Sequence, residues 1–332
     1  MKLRIEAALA VLAALAVFGC TKNEPTAENS AGGKKLRIAV IPKGSTHEFW
    51  KSVHEGANRA QDELGVEIIF KGPEKENDRS QQVDIVENFI NQKVDGIVLA
   101  PLDDKALAPP VNEAMKAGIP VLIIDSDLHG ADTVSFVATD NEKGGHMAAE
   151  HLAKLLNGKG RVVMLRYEEG SASTMYREKG FMDEMAKNPG IQVVSSNQHG
   201  GATTETAQKA SENLLAGYRK PDGSLNIDGI YTPNESTTFG MLLVLKGNNW
   251  AGKVKFVGFD ASAKLIDGLR AGEINGLILQ NPRNMGYLGV KTLVDKIKGQ
   301  TVEKRIDTGA TLVTKENMDQ PDVAKLIAPP QI

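Results

Sequence analysis

Polar and aromatic side chains stand at the ends of several apolar runs, and together they suit a binding site for a neutral polyol. Such a ligand carries hydroxyls around its rim and C–H groups on its faces. It therefore requires carboxylates and amides for the rim and aromatic rings for the faces. The residues of these types that follow predicted strands or begin predicted helices are Phe49, Trp50, Asp125, Arg177, Asn234, Phe259, Asp260 and Gln280.

Other common site chemistries lack the residues they need. The first predicted strand is followed by a single glycine, Gly44, where a dinucleotide or phosphate loop requires several at fixed spacing. The six histidines show no metal-ligand spacing: His146 and His151 lie on different helix faces, and His47 and His54 have no third partner. We therefore expect neither a metal nor a cofactor.

Asp125 and Asp260 leave one catalytic alternative open, because glycosidases use two carboxyl groups as acid and base. Acids surrounded by amides and an arginine are instead expected to remain ionised and to accept hydrogen bonds from hydroxyls. A binding protein is therefore the preferred hypothesis, and a carbohydrate-active enzyme is retained as a lesser alternative.

The elements that position these residues alternate between apolar runs and amphipathic helical periods. The runs are almost continuously apolar, which is typical of parallel strands covered on both faces. They occupy residues 36–42, 66–72, 95–101, 119–125, 134–140, 160–167, 191–196, 228–234, 253–260 and 274–280. Helical stripes fill the gaps; in the first of them Phe49, Val53 and Ala57 share a face. This alternation predicts an α/β fold with doubly wound parallel sheets.

A weak internal repeat indicates two similar halves. The letters DGI open a predicted strand at residues 95–97 and again at 228–230, and each time a loop, a helix and another strand follow. The two segments end at Asp125 and Asp260. Because ligands of open α/β sheets bind outside the carboxyl ends of the strands, two facing domains would place these acids across one cleft.

Length and charge are those of a globular protein of two domains. The chain has 332 residues and a formal net charge of −3. A basic patch with interleaved aromatic residues is missing from the sequence, so nucleic acid is not an expected partner.

The N-terminus predicts export and attachment to a membrane. Lys2 and Arg4 precede an apolar stretch that is too short to span a bilayer comfortably, and residues 1–20 therefore predict a signal peptide. Its end, VFGC, resembles a bacterial lipobox, in which the cysteine is lipidated. Cys20 is the single cysteine of the sequence, and a lipid thioether would explain it; a plain secretory signal is the alternative. The polar residues 21–35 predict a flexible tether.

From residue 36 to about residue 313 the chain resembles periplasmic sugar-binding proteins of the ribose-binding type, the solute receptors of ABC importers. The motifs that carry the resemblance are THEFWKSVHEGA, DGIVLAP, GIPVLIIDSD, FVATDNEKGG, GSASTMYREKGF, DGIYTPNE, FVGFD and LILQNP. The resemblance implies the periplasmic-binding-protein type I fold, in which two lobes close on a sugar.

In the first half, the resemblance assigns five positions to the ligand site. Lys43 falls at a first-strand position that lines the site, and His47 falls where ribose binders usually have an asparagine. Phe49 and Trp50 match an aromatic pair that packs on the sugar ring, and Asp125 matches an acid that takes two hydroxyls. Adjacent residues of a helix point in different directions, so one of the two rings is expected to be buried against the sheet.

In the second half, the resemblance assigns five more. Arg177 matches an arginine that reaches the ligand from the second lobe. Asn234 follows a strand as the family's amide does, although an asparagine there would also cap the next helix. Phe259 and Asp260 match a Gly-Phe-Asp motif, and Gln280 matches a glutamine at a crossing between lobes.

Two departures from the ribose binders bear on the ligand. Asp125 is followed by Ser126 where they have an arginine, and residues 200–201 are glycines where they have an aromatic. The first lobe thus loses a forked donor and the second loses bulk. A ligand larger than ribose, or with a different hydroxyl pattern, is the hypothesis that follows.

The resemblance also implies lobe boundaries and three hinge crossings. The predicted N-terminal lobe comprises residues 36–139 plus 281–309, and the C-terminal lobe residues 140–280 plus 310–332. The crossings are expected near residues 139–141, 280–282 and 307–311.

The implied partners are a monosaccharide-like molecule and the permease of an ABC importer. The protein is expected to be a monomer, exported to the periplasmic or cell-surface side, with membrane contact through its lipid alone. A receptor for a sugar or autoinducer that feeds signalling is an alternative. The effector domain of a lactose-repressor-type regulator shares the fold, but it would need a helix-turn-helix where this chain has an export signal.

Overall fold

The computed structural model describes residues 34–331, in which twelve strands form two six-stranded sheets. The strands of the first sheet, numbered in chain order, are β1 Arg37–Ile41, β2 Glu67–Phe70, β3 Gly96–Leu99, β4 Val121–Ile124, β5 Phe136–Ala138 and β11 Arg305–Asp307. They lie in the order β11-β5-β4-β3-β1-β2 and all pairs are parallel. The helices that cover them are α1 Glu48–Leu64, α2 Arg79–Asn91, α3 Ala108–Lys116 and α9 Pro282–Ile297. We call this half lobe 1.

The second half, lobe 2, repeats the plan. Its strands are β6 Gly160–Arg166, β7 Ile191–His199, β8 Gly229–Tyr231, β9 Lys255–Phe259, β10 Gly276–Leu279 and β12 Thr311–Val313. Its helices are α4 Asn141–Leu155, α5 Ala172–Met185, α6 Thr204–Ala216, α7 Glu235–Gly247, α8 Ala263–Arg270 and α10 Pro321–Ile327. The strand order is β12-β10-β9-β8-β6-β7, and β12 is antiparallel to its neighbour.

The chain crosses between the lobes three times: from β5 to α4, from β10 to α9 and from β11 to β12. The predicted fold of two doubly wound lobes with three crossings is therefore confirmed. Each of the ten predicted strands overlaps an observed one, although β7 extends three residues beyond its prediction, whereas the short edge strands β11 and β12 were not predicted. The strand predicted at residues 134–140 ends at Ala138 because Asp140 caps α4, accepting a hydrogen bond from Lys143 N at 3.1 Å.

The internal repeat is also visible in the backbone. Asp95 and Asp228 each accept a hydrogen bond at 2.7 Å from a backbone N–H at the start of a neighbouring strand: Arg37 N of β1 and Arg161 N of β6. At the other end of the repeat, Asp125 and Asp260 both adopt left-handed backbone conformations, with φ of 62° and 68°. Such values are uncommon for non-glycine residues. Both acids therefore turn the chain sharply at the strand end.

Each lobe contains a helix pair whose backbones touch through glycines. In lobe 1, a Cβ on Gly56 of α1 would lie 1.9 Å from a backbone oxygen of α9, and one on Gly286 of α9 would lie 2.0 Å from Val53 O. In lobe 2, a Cβ on Gly145 of α4 would lie 2.0 Å from Arg177 O, and one on Gly180 of α5 would lie 2.1 Å from Glu142 O. These helices can approach so closely only because both partners carry glycine.

Several sequence predictions fall outside the part of the chain that the structure describes. These predictions are the signal peptide of residues 1–20, the lipid attachment at Cys20 and residues 21–33 of the tether. Within residues 34–331, no helix is both long and apolar enough to cross a membrane. The same residues contain no group of three or more metal-ligating side chains.

Candidate functional site

Nine of the ten residues predicted for ligand binding line one cavity between the lobes, which contains about 290 Å³ of space free of atoms. The nine are Lys43, His47, Phe49, Trp50, Asp125, Arg177, Asn234, Asp260 and Gln280. Asp125, Asp260 and Gln280 follow strands directly, and Lys43 and Asn234 lie two and three residues beyond a strand, so the carboxyl ends of both sheets contribute to the cavity, as expected for α/β proteins. Phe259 is the exception: its fully buried ring lies under the Arg177 guanidinium, with 4.1 Å between Cζ and the ring centroid. Phe259 thus supports Arg177 instead of facing the cavity.

Lys43 binds protein groups from both lobes. Its ammonium lies 2.8 Å from Asp125 Oδ2 and donates to the hydroxyls of Ser126 at 2.6 Å, Ser171 at 3.2 Å and Ser173 at 3.1 Å. An ammonium has three protons, and the three serines accept them. The contact with Asp125 is then a close ion pair without a well-directed hydrogen bond. Its donors thus join the lobes, and the expectation that Lys43 also contacts a ligand stays a prediction.

Arg177 is held rigidly below the cavity. It is 2% exposed, Nε donates to Asn141 Oδ1 at 2.8 Å, and Nη1 donates to Pro233 O at 3.0 Å. Nη2 lies 4.0 Å from Asp125 Oδ1. The guanidinium is thereby fixed in one orientation, and Nη2 is the part of the fork that remains to serve a ligand.

Asp260 and Gln280 form a second polar wall with the start of α7. Gln280 Nε2 donates to Asp260 Oδ1 at 2.8 Å, and Glu235 N donates to Asp260 Oδ2 at 3.1 Å. Burial raises the pKa of Asp260, although Arg177 and Gln280 oppose that effect. Burial thus works against the expectation that this acid remains ionised. Asn234 serves both functions considered for it, because it caps α7 through Thr237 N at 3.2 Å and also lines the cavity.

His47 is paired with a buried acid that the sequence analysis did not select. Its Nδ1 contacts Glu76 Oε1. Burial lowers the pKa of His47, but the charge and hydrogen bond of Glu76 outweigh it and raise the pKa to about 9. Burial likewise raises the pKa of Glu76, and His47 and Lys43 outweigh it, so that the pKa falls to about 2. The pair is therefore an imidazolium and a carboxylate at neutral pH.

Phe49 and Trp50 both line the cavity and both pack in the hydrophobic core of lobe 1, so the expectation that one of them is buried against the sheet stays a prediction. They stand in the first turn of α1 and pack edge to face, with ring centroids 4.8 Å apart and an interplanar angle of 87°. In this arrangement the edge of one ring covers the face of the other, and both reach the cavity wall.

Four buried polar atoms of the cavity residues have no hydrogen-bond partner in residues 34–331: His47 Nε2, Arg177 Nη2, Gln280 Oε1 and Asp125 Oδ2, of which the last has only its ion pair with Lys43. Buried polar groups of native proteins are almost always paired, and an unpaired one is destabilising. Two donors and two acceptors that line one cavity without hydrogen-bond partners therefore indicate a polar ligand.

Formal charges in the cavity are balanced. The cationic side chains are Lys43, His47 and Arg177, and the acidic ones are Glu76, Asp125 and Asp260. Each cation lies against or close to an acid, as described above. An ionised ligand would thus find no uncompensated charge, which favours a neutral one.

The structure adds four cavity residues to the predicted set: Glu76, Tyr167, Ser173 and Thr174. Tyr167 directly follows β6, so the strand-end rule that selected Asp125 could have selected it. Glu76 lies in a loop that also contains Glu74 and Asp78, and nothing in the sequence distinguishes these three acids.

Two helices receive their N-terminal caps from the opposite lobe. Glu235 of lobe 2 accepts hydrogen bonds at 3.1 Å from the N–H groups of both Glu48 and Phe49, at the start of α1. In return, Glu48 accepts a hydrogen bond at 3.2 Å from Ala263 N, at the start of α8. Within the described residues, neither helix is capped by the side chain of its own N-cap residue. Burial raises the pKa of Glu235 to about 7, against the opposing effects of His47 and the two N–H groups.

The fold and the site together define a two-lobed receptor for a small polar molecule, and comparison with known proteins identifies its family. Residues 38–301 match the model of the periplasmic binding protein domain. The chain therefore belongs to the periplasmic binding protein family, and an exported, periplasmic location follows from that membership.

Individual relatives are sugar-binding proteins. The chain is 30% identical to a D-ribose/D-allose-binding protein of Pseudomonas aeruginosa, over 92% of this chain and 97% of that protein. Among solved structures, it is similar to a carbohydrate transporter solute binding protein from Agrobacterium radiobacter in complex with D-arabinose, with a TM-score of 0.84, 35% identity and coverage of 89% and 99%. It is also similar to an ABC transporter solute binding protein from Agrobacterium vitis with bound D-fucose, with a TM-score of 0.83, 35% identity and coverage of 88% and 100%.

Proposed function

We propose that the protein binds a monosaccharide or a related polyol in the cavity between its lobes and delivers it to an ABC importer. The observation that carries the proposal is the convergence of two donors and two acceptors without hydrogen-bond partners on a cavity whose formal charges are balanced. Aromatic rings on the same wall suit the C–H faces of a sugar. The named ligands of the relatives, D-ribose, D-allose, D-arabinose and D-fucose, are all neutral sugars.

The mechanism we propose is hinge closure about the three crossings, with residues 36–139 plus 281–309 forming one rigid lobe and residues 140–280 plus 310–332 the other. Ligand contacts from both lobes stabilise the closed form, so binding shifts an equilibrium between open and closed forms. The closed form then docks on a permease as a monomer. Small-angle scattering with and without saturating sugar tests the mechanism, and unchanged dimensions would contradict it.

Attachment to the membrane is proposed to occur through a lipid on Cys20, followed by the flexible residues 21–35. A protein so anchored works in water close to its permease. Membrane fractionation of cells that express the Cys20→Ala variant tests this point: the anchored form sediments with membranes, and the variant is expected in the soluble fraction.

Thermal melting in the presence of candidate ligands tests the proposed ligand class. Neutral pentoses, hexoses and polyols should include a compound that stabilises the protein by about 2.7 kcal/mol at one hundred times its dissociation constant, because it binds the folded state alone. The melting temperature then rises by several degrees. Uronic acids and sugar phosphates are expected to give no shift. A shift produced by the anionic compounds alone would contradict a neutral ligand.

The Asp125→Asn variant tests the placement of the site. Asparagine keeps the size of the side chain but removes a charged acceptor, so we expect the affinity to fall about thirtyfold, equivalent to about 2 kcal/mol. The same change at Asp62, an exposed acid of α1, should leave the affinity unchanged. Full retention of the ligand shift by Asp125→Asn would place the ligand elsewhere.

A further inference from the structure

We propose that Glu76 is a positioning residue of this site, whose carboxylate holds His47, Trp50 and Tyr167 around the cavity and joins the two lobes without itself binding the ligand. The inference rests on the proposed sugar-binding function of the cavity. It adds a residue that sequence patterns did not select, and it separates the cavity groups that contact a ligand from those that hold them.

The contacts of Glu76 leave little capacity for a ligand. Oε1 accepts a hydrogen bond from Trp50 Nε1 at 2.6 Å and contacts His47 Nδ1. Oε2 accepts a hydrogen bond from Tyr167 OH at 2.9 Å. A carboxylate has about four acceptor positions, and three are already used. The Glu76 side chain is only 5% exposed, so the carboxylate is enclosed by the groups that it binds.

One of these contacts crosses the cleft. His47, Trp50 and Glu76 belong to lobe 1, whereas Tyr167 follows β6 of lobe 2 and is 1% exposed. The hydrogen bond between Tyr167 and Glu76 can therefore form only while the lobes are together. Glu76 thus couples the arrangement of the cavity wall to closure.

Glu76 also fixes the orientation of the His47 ring. Because Nδ1 is directed at Glu76, the opposite ring nitrogen, Nε2, is buried at the cavity without a partner in residues 34–331. A protonated ring presents Nε2 as a donor only, whereas an asparagine amide offers both a donor and an acceptor. His47 held in this way requires a ligand oxygen that accepts.

The loop after β1 is shaped to admit Glu76. A Cβ on Gly44 would lie 2.7 Å from Glu76 Cγ, closer than packed atoms allow, and in contact with Glu76 N at 3.4 Å. The backbone of one loop therefore makes room for the side chain of another. This close approach is independent of the hydrogen bonds and indicates that the position of Glu76 is built into lobe 1.

The Glu76→Gln variant tests the proposal by two readouts. The first, which needs no ligand, is the pKa of His47 followed by NMR of its imidazole. We expect a value of about 9 in the wild type. In the variant it should fall to about 6.5 or below, because burial remains and the main opposing charge is lost. In the folded wild type the His47 ring therefore loses its proton as the pH rises through about 9, whereas in the variant it loses it near pH 6.5 or below.

The second readout is the ratio of ligand dissociation constants, variant over wild type, as a function of pH. His47 also faces Glu235 and Asp260, and Glu76 faces Lys43. Because the variant and the wild type share these three groups, their titration largely cancels in the ratio of dissociation constants. We expect a ratio of about ten at pH 8, where His47 of the variant is neutral, and about three at pH 5.5, where it is protonated. A merely structural role would give a ratio that does not change with pH.

Glu74→Gln is the matched control, because Glu74 is an exposed acid of the same loop. It should change the affinity less than about twofold at every pH. An unchanged affinity in Glu76→Gln, or a pH-independent ratio together with an unshifted His47 pKa, would overturn the proposal. If the wild type binds no sugar at all, the proposed function fails, while the His47 pKa still decides whether Glu76 positions the ring.

The Tyr167→Phe variant tests the contact across the cleft. It removes a neutral hydroxyl and therefore leaves the charges of the site unchanged. Removal of one hydroxyl should weaken binding about fivefold, chiefly through a faster dissociation rate, and should leave the His47 pKa near its wild-type value. An unchanged dissociation rate would overturn the coupling between Glu76 and closure.

Discussion

Replacement of Arg177 with alanine should abolish sugar binding and lower the free energy of unfolding by about 3–5 kcal/mol, the range found when one partner of a buried charge group is removed. The guanidinium is fixed by Asn141 and Pro233 and packs on the ring of Phe259. Its loss leaves Asp125 and Asp260 with less compensating charge and removes the donor that we expect to meet the ligand. Urea denaturation and calorimetric titration with the sugar measure the two effects.

A milder change separates the loss of binding from the loss of stability. Arg177→Lys keeps the positive charge but cannot reproduce the fork, so the fold should survive while the affinity falls at least tenfold. Arg270→Ala, on the exposed end of α8, is the control and should affect neither quantity. Wild-type affinity in Arg177→Lys would show that the forked donor has no part in binding.

Gly145→Ala should destabilise the protein by about 3 kcal/mol, although it adds a single methyl group. That methyl would lie 2.0 Å from Arg177 O and 2.8 Å from Phe181 N, both backbone atoms of α5 that cannot rotate away. The two helices must separate, and α5 carries Arg177 with it. We therefore expect weaker sugar binding in addition to the lower stability, measured by urea denaturation and titration.

Gly247→Ala provides the comparison for that prediction. Gly247 ends α7, and a Cβ at this position would meet nothing within 4 Å. The change should be neutral or stabilising by up to about 1 kcal/mol, because alanine favours the helix. Equal destabilisation by the two changes would mean that helix contact is not the reason for glycine at position 145.

The sequence was informative where one rule governs many residues. Near-continuous apolar runs identified the strands because both faces of each sheet are covered; every residue of β3 and β4, for example, is buried. The strand-end rule then placed Asp125, Asn234, Asp260 and Gln280 at the same cavity. The short strands β11 and β12 escaped this reasoning because they lie at sheet edges, where burial and hence apolar pattern are weakest.

Roles within the site were harder to predict than membership of it. Lys43 was correctly placed at the cavity, but only the positions of Ser171 and Ser173, far along the chain, reveal that its protons are taken. Phe259 was assigned to the ligand because a motif does not tell which side of a strand a ring occupies. Glu76 was missed because its partners, His47, Trp50 and Tyr167, come together only in three dimensions.

The exchange of helix caps between the lobes also makes closure visible at single amide groups. The N–H groups of Glu48, Phe49 and Ala263 have carboxylate acceptors from the opposite lobe. When the lobes part, these amides face water, and their hydrogens exchange freely with deuterium. Their exchange rates therefore record the fraction of time that the molecule is open, with no label attached and with the sugar site left untouched.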